Sequence, residues 1–353
     1  MKSFKLGRKI INKSGQPYVI AEIGVNFENN FSRAKKIIKL AKKGGADAVK
    51  FQSYKADKIA CKNSPYYWDL KDVAIRSQYK LFKKFDKFSF KEFSLLKKYC
   101  DKIKIDFLST PFDLEAVDYL SKLVPFYKIA SADITNYPLI EKVCKKNKPI
   151  ILSTGASTQQ EIDNTLKFIN RINKKIRVIL LHCILSYPTK NQDANLNLIS
   201  AFSKRYKKNI IGYSDHTLPD ESMMILTSAY QKGAQVIEKH FSDTKGKKGN
   251  DHFHSMNEMD LKKFRNNIDL LIKINKGPKK RKIFKCEKKS RLNARRSVVA
   301  KTDINKGEKL SIDNLIMKRP GFGICPTKIS RLIGKTAKKN IVADNLIYPN
   351  DIE

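Results

Sequence analysis

Only five histidines occur in this chain of 353 residues, and two of them occupy matching places. His216 directly follows the apolar run in "NIIGYSD" (209–215), and His240 closes the run in "QVIEKHF" (235–241). A single imidazole after a buried strand is most often a satisfied core or loop group. A matched pair is different, because neighbouring strands lie about 4.8 Å apart and both rings can then reach one ion. Glu238, Asp215, His252 and Asp251 lie close by in sequence and enlarge the pool of donors. Two neutral imidazoles completed by water and substrate oxygens suit Mn2+, Mg2+, Co2+ or Zn2+. His182, within "LLHC", reads instead as a core residue.

Other apolar runs end in polar groups of a second kind: Glu22, Lys50 with Gln52, Thr110, Lys128, Ser153 and Ser214. A lysine inside an apolar strand is costly unless its charge is met. Lys50 in "AVKFQ" and Lys128 in "FYKIA" therefore point to an anionic ligand, and three hydroxyls beside two ammonium groups would cradle a small molecule bearing phosphate and carboxylate. Each hydroxyl alone is more simply a strand-end cap. Their convergence on one face carries the inference.

The elements that must position these groups recur along the chain. "PYVIAEI" (17–23), "DAVKFQ" (47–52), "DFLSTPF" (106–112), "FYKIAS" (126–131), "PIILSTG" (149–155), "RVILLHC" (177–183), "NIIGYSD" and "QVIEKHF" make eight short runs. Amphipathic stretches such as "SRAKKIIKLAKKGG" (32–45) separate them. Eight strand–helix units predict an α/β fold, a (β/α)8 TIM barrel, with an open doubly wound sheet as the alternative. Active-site groups of such barrels come from the carboxyl ends of the strands. The insertion at 53–88 would be a long loop on that face.

After about residue 280 the pattern changes to short β-like pieces, and "DINKGEKLSIDNL" (303–315) is echoed by "NIVADNLIYPNDI" (340–352). The boundaries expected are a barrel domain over 1–280, a linker over 281–292 and a small, mostly β domain over 293–353. The basic run "KGPKKRKIFKCEKKSRLNARR" (276–296) covers that junction.

Composition excludes several function classes. The chain carries 72 Lys+Arg against 34 Asp+Glu, a net charge of +38, yet the lysines are spread along its whole length and no nucleic-acid motif accompanies them. A solvated surface with no specific nucleic-acid partner is the simpler reading. No apolar stretch approaches a membrane span or a signal-peptide centre, so a cytoplasmic protein without membrane association is expected. Cys61, Cys100, Cys144, Cys183, Cys286 and Cys325 are far apart, with no CxxC pair, as free thiols in a reducing compartment would be.

Taken in order, "AEIGVN", "GADAVKFQ", "FLSTPFD", "YKIAS", "PIILSTG", "YPT", "IGYSDHT", "VIEKHF", "GNDHFHSM", "RRSVVAK" and "KRPGFGI" closely resemble the sialic acid synthase family, which includes N-acetylneuraminate, legionaminate and pseudaminate synthases. The resemblance covers nearly the whole chain. It implies a TIM barrel followed by an antifreeze-like (SAF, β-clip) domain, in a swapped homodimer. It also implies a transferase that condenses phosphoenolpyruvate with an N-acylated hexosamine, releasing phosphate and forming a nine-carbon 2-keto acid. N-acetylmannosamine is the first sugar expected, a 2,4-diacetamido-6-deoxy sugar the second. A catalytically silent basic binding protein is the competing class.

By the same resemblance, His216 and His240 would hold a divalent metal, Mn2+ first and Mg2+ or Co2+ next. Lys50, Thr110, Lys128, Ser153 and Ser214 would bind phosphoenolpyruvate, and Glu22 would orient or deprotonate the attacking water. Gln52, Asp133, Tyr187 and Asp251 would contact the sugar, and the partner subunit's Arg319 would reach the N-acyl group. Three positions depart from the pattern: Phe27 where the family often has histidine, Asp133 where glutamate is common, and Leu185 where some members place asparagine.

Overall fold

Parallel strands covered on both faces are apolar almost without interruption, and the eight runs become the strands of one parallel sheet. The structure, a computed structural model, describes residues 4–12 and 15–353. The strands are β1 Tyr18–Gly24, β2 Ala48–Ser53, β3 Asp106–Pro111, β4 Tyr127–Ile129, β5 Ile150–Ser153, β6 Val178–Cys183, β7 Ile210–Asp215 and β8 Val236–His240. They hydrogen-bond in the order β3-β2-β1-β8-β7-β6-β5-β4. β3 and β4 lie side by side where the circle closes, with no ladder between them among the described residues. This is the nearly closed barrel, and the open doubly wound alternative is excluded.

One helix follows each strand: α1 Phe31–Gly44, α2 Phe90–Lys102, α3 Leu114–Leu120, α4 Tyr137–Cys144, α5 Gln159–Ile172, α6 Asn197–Arg205, α7 Met224–Gln231 and α8 Glu258–Ile274. Several start where the sequence supplies a capping box, in which a side-chain oxygen and a downstream acid satisfy each other's free backbone N–H groups. Ser89 with Glu92, Thr158 with Glu161, and Asn257 with Asp260 do this for α2, α5 and α8.

Strand register decides which side chains meet at the barrel mouth. Glu22 on β1 stands opposite Lys50 on β2 and His240 on β8. Gln52 stands opposite Thr110, and Glu238 opposite Ser214. Groups far apart in sequence therefore share one rim.

The insertion at 53–88 is more than a loop. It contains the helices Ala56–Ile59 and Gln78–Phe85, and Trp68, Val73, Leu81 and Phe85 form a satellite core with Val25. Trp68 Nε1 donates to the carbonyls of Val73 and Ile75 at 3.1 and 3.0 Å, which pins the turn around it.

The chain divides into two compact units, Met1–Lys276 and Gly277–Glu353. Residues 281–292, read above as a linker, fall in the second unit, where Lys285–Glu287 forms a 3-10 turn and Lys288–Ala294 a short helix. Its antiparallel strands, β9 Ser297–Ala300 and β10 Leu315–Lys318, pack over a core that includes Val298, Ile304, Leu310 and Ile347. The two copies of the internal echo meet there, since Ile304 and Ile341, at equivalent places in the repeat, bridge each other. No helix among the described residues is long and apolar enough to cross a membrane.

Gly212 sits where β7 has no room for a side chain: a Cβ there would lie 2.3 Å from the Val236 carbonyl oxygen and 2.5 Å from Leu181 Cδ2. Gly212→Ala is expected to destabilise the barrel by about 1–3 kcal/mol. Gly277→Ala, which meets nothing within 4 Å, should change stability by less than about 0.5 kcal/mol. Thermal denaturation of the two variants side by side checks the difference.

Candidate active site

At the carboxyl end of the barrel the strand-end residues surround a cavity of about 460 Å³. Glu22, Lys50, Gln52, Thr110, Lys128, Asp133, Ser153, Tyr187, Ser214, His216 and His240 all line it. Asp251 lines a smaller adjoining chamber of about 110 Å³, whose walls also include Gln52, Tyr187 and His240. The remainder of that chamber is largely the satellite core of the insertion, with Phe82 and Phe253. Arg319 belongs to the second unit, exposed, immediately after β10.

The buried lysines are met by carboxylates. Lys50 Nζ lies 2.7 Å from Glu22 Oε2 and donates to Thr110 Oγ1 at 3.0 Å. Lys128 Nζ lies 3.4 Å from Glu238 Oε1, and Lys50 Nζ 3.8 Å from the same oxygen. Ser214 Oγ also donates to that oxygen, at 3.1 Å, while Gln52 Nε2 donates to Glu22 Oε1 at 3.2 Å. Ser153 Oγ is buried beside them without a partner. The sequence places Glu238 in the pool of metal donors, whereas its partners are Lys128 and Ser214. Period-two alternation held the signal, since residues two apart on a strand share a face and His240 was already a candidate.

Burial raises the pKa of Glu22 to about 7, with Lys50 opposing and Glu238 assisting. For Glu238 burial also acts upward, but Lys128 and Lys50 outweigh it and hold the carboxyl below its usual value. Burial pulls Lys50 down, and Glu22 and Glu238 more than restore it; for Lys128 burial wins and the pKa falls. Glu22 is therefore the carboxyl of this quartet that gains or loses a proton near neutral pH. Such a site can bind an anion at the ammonium groups and move a proton at the Glu22 carboxyl, whose Oε2 is met only by the Lys50 ammonium.

Across the mouth the side chains are imidazoles. The His216 and His240 ring centroids are 5.6 Å apart, and His254 lies 4.6 Å from His240 and 6.0 Å from His216. His216 Nδ1 faces the Ile184 carbonyl oxygen at 2.8 Å and must donate to it, which leaves Nε2 as the free lone pair. His240 Nδ1 approaches Asp251 Oδ2 at 3.4 Å but makes no hydrogen bond. Burial, followed by neighbouring imidazoles, holds His240 and His254 far below the usual histidine value, so both are neutral at pH 7. Burial lifts Asp251 to about 6. Orphaned, neutral imidazole nitrogens beside a carboxylate are the donor set a divalent cation takes.

Several sequence candidates are occupied elsewhere. Asp215 Oδ2 pairs with Lys239 Nζ at 2.5 Å, and its carboxylate also accepts from Tyr213 and from Thr217. His252 lies 2.6 Å from Ser242 Oγ and 3.2 Å from Glu28 Oε1. His182 is buried against Tyr213 and bonds the Ala194 carbonyl, a core role as expected. Phe27 packs edge-on against Phe51 and Phe88 in the core and does not line the cavity, whereas Leu185 does. Asp133 lines it too, holding Asn136 at 3.0 Å. His254, overlooked in sequence, sits in an irregular turn after β8, where no periodicity marks it.

Residues 37–280 match the NeuB family, and residues 295–353 match the SAF domain. An uncharacterized protein of Methanocaldococcus jannaschii is 42% identical over 100% of this chain and 99% of its own. The N,N'-diacetyllegionaminic acid synthase of Campylobacter jejuni is 40% identical over 93% of this chain and 98% of its own. Among solved structures, the N-acetylneuraminic acid (sialic acid) synthetase of Leptospira borgpetersenii aligns with a TM-score of 0.70 and 31% identity, over 82% of this chain and 95% of that one.

The Lys239–Asp215 pair sits under the turn that presents His216, with side chains 0% and 1% exposed. Lys239→Met strands a carboxylate in the core and is expected to cost about 3–5 kcal/mol. Adding Asp215→Asn should recover part of the loss, and urea denaturation of the single and double variants measures both effects.

Proposed function

The chain belongs to the NeuB family and carries a SAF domain, and on that premise we propose that it condenses phosphoenolpyruvate with an open-chain N-acylated hexosamine to give a nine-carbon 2-keto acid. The observation that carries this reading is the pair of buried ammonium groups, Lys50 and Lys128, beside the unpartnered Ser153 hydroxyl in a cavity whose other wall includes the imidazoles of His216 and His240.

In this reading Lys50, Lys128, Thr110, Ser153 and Ser214 hold the phosphate and carboxylate of phosphoenolpyruvate. Its C3 bonds to the sugar aldehyde carbon, leaving C2 electron-poor; water adds at C2 and the phosphate departs from it. Glu22 takes the proton of that water. Gln52, Tyr187, Asp133 and Asp251 position the sugar. A divalent ion, held by His216 and His240, would supply a Lewis acid for the aldehyde oxygen. The partner subunit's Arg319 completes the N-acyl contact in a homodimer.

Two observations favour the 2,4-diacetamido-6-deoxy sugar of legionaminate synthesis over N-acetylmannosamine. The chamber beside His240 has a polar side, with Gln52, Tyr187 and Asp251, and an apolar side, with Val25, Trp68, Val73, Leu81, Phe85 and Phe253, where the Trp68 N–H is already spent on backbone carbonyls. The apolar side suits methyl and acetamido carbons better than a chain of hydroxyls. The Campylobacter jejuni relative, at 40% identity, is an N,N'-diacetyllegionaminic acid synthase.

Phosphate release, measured with phosphoenolpyruvate, Mn2+ and each sugar, tests the reading. The diacetamido sugar should exceed N-acetylmannosamine in kcat/KM by about tenfold or more, and Arg319→Ala should raise KM for the sugar while leaving that for phosphoenolpyruvate unchanged. A preference for N-acetylmannosamine would reverse the sugar assignment. No phosphate with any sugar would favour a basic binding protein instead.

The pKa of Glu22, raised to about 7, sets the pH dependence. The carboxylate is the proton-accepting form, so kcat/KM should climb as pH rises through about 7 and be lost below it. Glu22→Gln should abolish turnover. A flat profile between pH 6 and pH 8, in rough terms about one unit either side of that value, would remove Glu22 from the acid–base role.

A further inference from the structure

His254 has no part in the reaction as proposed, and ordinary packing does not account for it. It is 0% exposed, and neither of its ring nitrogens has a hydrogen-bond partner. Buried polar atoms are nearly always paired. Two orphans on one ring, beside two other imidazoles, indicate a partner that bonds to nitrogen.

The spacing fits a metal ion. An imidazole bound through nitrogen at about 2.1 Å has its ring centroid roughly 3.2 Å from the ion. Two such rings are then roughly 4.5 Å apart at a right angle and roughly 5.5 Å apart at 120°. The three histidines form a triangle of 4.6, 5.6 and 6.0 Å, close to that range on every side. Ligand atoms of His240, Asp251 and His254 lie within 4.8 Å of one another, a set that does not include His216, so His254 and Asp251 are the tighter partners of His240.

The turn bearing His254 is held firmly. His252 is fixed between Ser242 and Glu28, and Ser255 Oγ donates to the Asp251 carbonyl at 2.5 Å. Asn26 Nδ2 in turn reaches Ser255 Oγ at 3.1 Å. The ring is thus delivered to the imidazole cluster by residues on both sides of it.

We propose that His254 is a third imidazole ligand of the divalent ion, with Asp251 as the carboxylate of the same centre. This rests on the metal-binding part of the functional reading and on none of its substrate assignments. A centre rich in imidazole selects Zn2+, Co2+ or Fe2+ over Mg2+, which shifts the preference away from the Mn2+ expected from the resemblance.

Titration of the metal-free full-length protein with Co2+, followed by visible absorption and without either substrate, tests the assignment. The wild type should bind one ion at the site with a nitrogen-ligand spectrum. His254→Ala and His254→Gln should each weaken binding by about tenfold or more and change the spectrum, while His182→Ala should leave both unaltered. Proton NMR of the Co2+-loaded wild type gives a count that needs no variant: three strongly shifted imidazole N–H signals are expected. Wild-type affinity and spectrum in the His254 variants, only two shifted imidazoles, or no Co2+ binding by the wild type would overturn the proposal. Metal binding through three imidazoles in a protein that releases no phosphate would leave this assignment standing and remove the synthase reading.

Discussion

An ammonium group inside a β-barrel must be met by negative charge within a few ångströms, and Lys50 and Lys128 impose that demand on everything around them. Both ammonium groups are buried, and Glu22 and Glu238 hold them in place. Removing either partner alone would leave an isolated buried ion, a change that typically costs 3–5 kcal/mol, or about a third of a domain's stability. The four groups are therefore interdependent. An incoming anion competes with the carboxylates for the same ammonium groups, and Glu22, already close to neutral in its preference, is the member that most easily gives way by taking up a proton.

The mouth is electrically divided by this arrangement. One side carries two cations and two carboxylates, while the other carries imidazoles, of which His240 and His254 are kept neutral by burial and by neighbouring imidazoles. Asp251, itself lifted by burial, stands at the imidazole end. An anion and a cation can thus be accommodated in one cavity without sharing donors. Period-two alternation makes the division possible: Glu238 and His240 point inward from β8 while Lys239 between them points away, to Asp215.

The residues legible in the sequence were those that break an expected apolar pattern. Lys50, Lys128, His216 and His240 stand out because a buried strand has no ordinary use for them, and the eight-fold recurrence of runs gave the barrel that places them on one rim. Glu238 was harder, since an acid near a strand end is unremarkable until the register sets it opposite Ser214 and within reach of Lys128. His254 left no periodic trace because it arrives on an irregular turn, where tertiary contacts alone fix direction. The insertion likewise looked like loop: Leu81 and Phe85 share a face of one short helix, but Trp68 and Val73 follow neither helical nor strand spacing, and only folding shows that the four meet.

One feature of the barrel is mechanical. The sheet is a split ring, because β3 and β4 run side by side without a ladder. Ionic ties cross the mouth from both directions, since Lys128 on β4 and Lys50 on β2 reach the same Glu238 carboxylate on β8. Both lips of the split carry groups that face the ligand cavity, Thr110 on β3 and Lys128 on β4, so an occupant of the cavity touches both edges of the cut at once.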